Sequence, residues 1–144
     1  MMAIFYTDGG VSVTIIRITL GIVMMPHGIG MMFGRFGFPG VGPMMAGSRE
    51  QIGMPPGLVL FAALAEFIGP VGLILGLLTR VAALGIALTM IGAIWVHRGG
   101  GFFMNWFGAQ KDEGIEYHLM ALAMAVSLMI TGAGAWSIDR MIAH

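Results

Sequence analysis

Four stretches of this chain are long, continuous and nearly free of charge, and they restrict its possible folds more than any other feature. Val11 to Gly34 is interrupted by ionisable side chains only at Arg17 and His27, and Pro56 to Thr79 only at Glu66. Val81 to Val96 has none and ends at His97-Arg98, while Ile115 to Gly134 carries Glu116 and His118 in its first turn. A hydrocarbon core about 30 Å thick is crossed by roughly 20 apolar residues in a helix, so each stretch reads as a transmembrane helix, the third being the shortest. Closed β-barrels also satisfy backbone groups in lipid, but they need short alternating strands, and these runs do not alternate. The expected fold is therefore all-α. It is a single integral membrane domain over 1–144, a four-helix bundle with spans near 11–34, 56–79, 81–97 and 115–134.

Composition agrees and removes several function classes. The chain is 58% hydrophobic and 10% charged, with a mean hydropathy of +0.91, against about 25% charged residues in a soluble domain. Seven basic and seven acidic residues cancel, leaving no basic surface for nucleic acid. With no cysteine, disulfides, thiolate metal sites and iron–sulfur clusters are excluded. Neither a GxxxxGK[ST] phosphate loop nor a GxSxG nucleophile elbow is present, and the glycines at 99–101 lead into aromatics rather than a helix. A self-sufficient enzyme is not expected. Residues 1–10 lack the basic start and cleavage site of a signal peptide.

Connections order the spans. The link at Thr79-Arg80 is so short that the second and third helices must be antiparallel neighbours. Gly37 to Pro55 reads as an irregular Gly/Pro/Met loop. Arg98 to Gly114 reads as an interfacial lid, because Phe102, Phe103, Trp106 and Phe107 suit the headgroup level. Four crossings put both termini on one face and both long loops on the other. Basic residues are spread over both faces, so the positive-inside rule fixes no orientation. Small residues supply close packing in lipid: Gly30 and Gly34, Gly72 and Gly76, Gly85 and Gly92, and Ala121 and Ala125 are the expected contact positions.

Ionisable residues inside spans default to functional candidates. At about 1.5 Å of rise per residue, Arg17 lies about 9 Å from the termini face, Glu66 about 20 Å and His27 about 24 Å. His97 ends the third helix, and Glu116 and His118 begin the fourth. His27, Glu66, His97, Glu116 and His118 thus fall in the loop-side half, beneath Trp106 and its aromatic neighbours. Arg17 is expected to snorkel to headgroups or to join Glu66 in an ion pair or proton path, and Glu66 to bond His27 or Arg17. Imidazoles and carboxylates converging under aromatics suit a quinone headgroup, since imidazole bonds carbonyl and hydroxyl oxygens and a carboxylate relays protons. Two histidines could instead ligate haem, the weaker alternative. No HxxxH pair lies on any helix, so no metal site is expected. Methionines, including Met120 and Met124, read as packing rather than as copper ligands.

RITLGIVMMPHG at 17–28, AEFIGPVGLILGLLTRVAAL at 65–84 and EYHLMALAMAVSLMITGAGAWSID at 116–139 resemble the DoxX family of small bacterial membrane proteins. The resemblance covers about 12–140, nearly the whole chain. It departs from the family at Met31, where a lysine is frequent, and at Gly132-Ala133-Gly134, where Gly-Pro-Gly is favoured. It implies a four-helix bundle in the bacterial inner membrane. Some members are membrane subunits of thiosulfate:quinone oxidoreductases, and others associate with redox-defence enzymes. The expected function is an integral membrane subunit of a quinone-linked redox complex, acting as anchor and quinone-site contributor alongside other membrane subunits and lipid. The alternatives are a non-catalytic accessory subunit of a larger assembly and a small proton-coupled carrier.

Overall fold

The computed structural model describes residues 5–7 and 10–143; the reading of residues 1–10 as no signal peptide therefore falls partly outside the described residues. Described residues form helices and connections, with no strand. In chain order the helices are α1 (Val11–Phe33), α2 (Val41–Ile52), α3 (Pro56–Leu75), α4 (Thr79–His97), α5 (Glu116–Thr131) and α6 (Ile138–Ala143). Glycines in the left-handed region stop three of them: Gly34, Gly53 and Gly76 cap α1, α2 and α3 at φ 68°, 67° and 66°. Pro56 occupies the first position of α3, where a missing N–H costs nothing.

α1, α3 and α4 are long and apolar enough to cross a membrane. α5 is apolar but has 16 residues, which at 1.5 Å each gives about 24 Å. It stops short of the expected 134 because Gly132 leaves helical geometry at φ 85°, its α-carbon closely packed against the Tyr6 carbonyl. The segment expected to be a loop between Gly37 and Pro55 contains α2. Its proline lies in the first turn, where helices tolerate it, and Met, Ala, Arg, Glu and Gln carry the rest.

α1 packs on α3, and α4 on α3 and α5, around Leu20, Met24, Leu73, Ile86, Met90 and Leu128, with Ala83, Ala121 and Ala125 between them. The expected GxxxG pairs are not the main contacts. Gly30 and Gly34 instead turn the chain beneath Phe38 and Pro39, and Gly76 lies against Ser137 and Arg17. The close crossing of α1 on α3 runs through Gly21 and Gly28. A Cβ on Gly28 would lie 1.9 Å from the Glu66 carbonyl oxygen. That carbonyl has no donor one turn on, because residue 70 is proline.

A polar knot closes the termini face. Arg17 is 0% exposed. Its Nε donates to the Ala133 carbonyl (2.8 Å), Nη1 to those of Leu73 and Ile74, and Nη2 to that of Trp136 (3.1 Å). The guanidinium thus sits at the negative end of α3, where a cation is favoured. Asp139 completes the knot: its carboxylate accepts the Leu78 and Thr79 N–H groups at 2.7 and 2.8 Å, at the start of α4. Arg80 caps the end of α5 by donating to Met129 and Ile130 carbonyls.

Candidate functional site

The opposite, loop-side half of the bundle encloses a cavity of about 1120 Å³. Its walls come from α1, α3, α4 and α5 and from the long loop: His27 of α1, Glu66 of α3, His97 of α4, His118 of α5 and Trp106 all line it. Periodicity puts them there. On α5, Tyr117 shares a helical face with Ala121 and Ala125, both in the core, so its ring faces the bundle.

The aromatic side chains form a continuous wall. His27 stacks on Tyr117 at 5.5 Å between ring centres, Tyr117 meets His118 edge-on at 5.7 Å, and His118 stacks on His97 at 5.1 Å. The Tyr117 hydroxyl donates to the Met24 sulfur at 3.2 Å. His27 Nδ1 lies 3.2 Å from the Val23 carbonyl; a proton on Nδ1 satisfies that oxygen and leaves Nε2 as an acceptor. Glu66 is buried, and among the described residues its carboxylate forms no hydrogen bond. Around these polar groups the lining is mostly apolar and rich in methionine, including Met24, Met31, Met44, Met54, Met90 and Met104. Such side chains mould to flat, polarizable ligands.

Three expectations differ from the observed placement. Arg17 neither snorkels nor pairs with Glu66; its donors are engaged by carbonyls at the other end of the bundle, because the end of α3 and the α5–α6 connection present carbonyls beside it. Glu66 accordingly bonds neither Arg17 nor His27. Glu116 does not line the cavity: its Oε2 accepts the Met104 N–H at 3.3 Å, so it holds the lid in place.

The lid itself is a zipped loop. Ile115 and Glu116 N–H groups bond the Gly101 and Phe102 carbonyls, and Asn105 exchanges hydrogen bonds with Gln110 at 2.9 and 3.0 Å. A Cβ at Gly100 or Gly114 would lie 2.1 Å from a carbonyl oxygen of the facing strand of loop, so these glycines permit the closure. All four lid aromatics are exposed, and of them Trp106 borders the cavity. Sequence reasoning missed Tyr117 as a site residue, although its spacing to Ala121 and Ala125 could have found it.

Among the described residues, no group of three His, Asp or Glu side chains is placed to hold a metal ion. Face-to-face stacking of His97 and His118 also fits haem poorly, because two axial imidazoles approach an iron from opposite sides. What the cavity offers is an apolar chamber into which four helices bring imidazole, phenol and carboxyl groups. Such groups bind carbonyl oxygens and move protons.

The model of the DoxX family matches residues 12–99, a stretch that holds Arg17, His27, Glu66 and His97. The chain belongs to the DoxX family. An uncharacterized membrane protein of Mycobacterium tuberculosis is 32% identical, with 96% of this chain and 86% of that protein covered. The inner membrane protein YqjF of Escherichia coli is 31% identical, over 92% of each chain. CatD of Bacillus subtilis, which carries the name of a proposed oxidoreductase, is 27% identical, over 89% of this chain and 84% of its own. No solved structure gives a significant match. This DoxX-family chain is thus a membrane protein whose apolar helix faces contact lipid.

Proposed function

We propose that this DoxX-family chain is a subunit of a quinone-linked redox complex in the bacterial inner membrane, and that its cavity receives the quinone headgroup. In this reading α5 crosses the bilayer with α1, α3 and α4, giving four spans. The observation that carries the reading is the convergence of His27, Glu66, His97, His118 and Trp106 on one chamber. The name of CatD supports redox chemistry in the family.

The chain's residues would act as follows. The quinone supplies two-electron redox chemistry, with electrons from a partner subunit. His97 and His118, at the loop-side ends of their helices, bond the ring oxygens and exchange protons with water. Glu66, deeper and without a hydrogen bond of its own, holds a proton for the inner oxygen. Trp106 and the methionines pack the ring and exclude water.

The test is a thermal-shift titration of the purified protein in lipid nanodiscs with a prenylated benzoquinone. Saturation at about 100 times Kd should stabilise the wild type by roughly 2.7 kcal/mol, and His97→Ala and His118→Ala should each weaken binding by about tenfold while folding normally. No shift in the wild type would leave a non-catalytic accessory subunit as the better account.

A further inference from the structure

α3 and α4 are antiparallel and touch closely in their termini-side halves. A Cβ on Gly85 would meet the Ala65 Cβ at 3.4 Å. Two turns farther along α4 the helices have parted. At Gly92 the nearest atom to such a Cβ is the tip of Met54, at 3.6 Å, and no atom of α3 lies within 4 Å. This crevice belongs to the cavity wall: Leu58 and Phe61 of α3 and Leu88 of α4 line the cavity and are also exposed. All of these lie within the lipid-facing runs of helices long enough to span the membrane. At the deep end, Met24 and Met90 also line the cavity, and both are buried.

We infer that the crevice between the loop-side halves of α3 and α4 is a lateral portal, with Gly92 as its floor and the flexible Met54 side chain as its gate, and that the cavity selects ligands carrying a long apolar tail. The polarity of the cavity gives the ligand's direction. The imidazoles of His27, His97 and His118 stand on α1 and on the adjoining ends of α4 and α5, and Glu66 lies one to two turns deeper along α3 than Leu58 and Phe61, while the crevice presents leucine, phenylalanine and methionine. An amphiphile in the bilayer can therefore slide head first between the helices, its head reaching the histidines and its tail remaining in the crevice. The head's identity rests on the quinone reading above; the portal and the tail rest on the crevice alone.

Gly92→Leu tests this without disturbing the fold, because the new side chain displaces only the end of a flexible methionine. In nanodiscs, a benzoquinone with a ten-carbon prenyl tail should bind Gly92→Leu at least about tenfold more weakly than wild type. The same ring without a tail, which can reach the cavity beneath the lid, should bind both proteins alike. A second probe needs no quinone: nanodisc phospholipids with a diazirine in the acyl chain should label buried Met90 or Met24 in the wild type and not in Gly92→Leu. Labelling of Met90 with no quinone binding at all would remove the headgroup assignment and keep the portal. Acyl labelling confined to outward residues, or equal loss of the tailed and tailless rings in Gly92→Leu, would overturn the portal.

Discussion

At the end of the bundle where the chain begins and finishes, Arg17 is buried with every guanidinium nitrogen donating to a carbonyl, and Asp139 accepts two backbone N–H groups. At the other end Glu66 is nearly as buried, yet among the described residues its carboxylate has no hydrogen bond. Both are ionisable groups in an apolar protein, and inserting either is costly. The difference is what surrounds them. Arg17 meets helix ends, whose last carbonyls lack partners within the helix, so its burial ties α1 to α3 and to the α5–α6 connection. Glu66 meets a chamber of methionines and rings, where none of the described residues completes its hydrogen bonding. A satisfied buried charge fixes a fold, whereas an unsatisfied one beside a cavity is positioned for a ligand.

The strongest way to break this comparison is at Arg17. Arg17→Leu leaves carbonyls of Ala133, Ile74 and Trp136 without their donors. At about 1–3 kcal/mol for each buried group left unsatisfied, the variant should lose most of its stability and accumulate poorly in membranes. Arg17→Lys should be intermediate, since it keeps the charge but not the planar fork. Unfolding temperature and yield in mild detergent read both. Next comes Asp139→Asn, which retains one acceptor for Leu78 and Thr79 but removes the charge at the start of α4. It should cost about 1–2 kcal/mol and leave ligand binding unchanged. If either variant impaired quinone binding at full stability, the two ends would not be separate.

The sequence showed this division only in part. Charge-free runs located the spanning helices because lipid demands that polar groups be rare, and the positions of His27, Glu66, His97 and His118 along those runs placed them in one half of the bundle. α2 was hidden because its helix formers sit among Gly and Pro, which read as loop until Gly40 and Gly53 are seen to bracket a helix. The role of Arg17 was hidden for a different reason: its partners are main-chain carbonyls, which every residue possesses and no motif marks. Glu116 was misplaced because it begins α5, where a small rotation decides between the cavity and the lid. Gly28 was visible as part of His-Gly, but not as the point where α1 lies on the Glu66 carbonyl, since that depends on Pro70 one turn along α3.

The smallest predicted effect separates the two ends most sharply, because its sign is opposite. An ionised Glu66 held in place by a partner would make Glu66→Leu destabilising, by stranding that partner. Among the described residues the carboxylate has no hydrogen-bonded partner, so leucine removes a costly polar group from the cavity wall and exchanges it for apolar contact with the lining. Replacing buried ionic groups by apolar ones of similar volume is often stabilising, and here the gain should be about 1 kcal/mol. Glu66→Leu should therefore unfold at a higher temperature than wild type while losing quinone-dependent stabilisation. Glu66→Gln, which keeps a donor and acceptor at the same depth, should lie between wild type and Glu66→Leu in stability and retain part of the binding. A lower unfolding temperature for Glu66→Leu would mean that the carboxylate supports the fold as Arg17 does, and the contrast between the two ends would collapse.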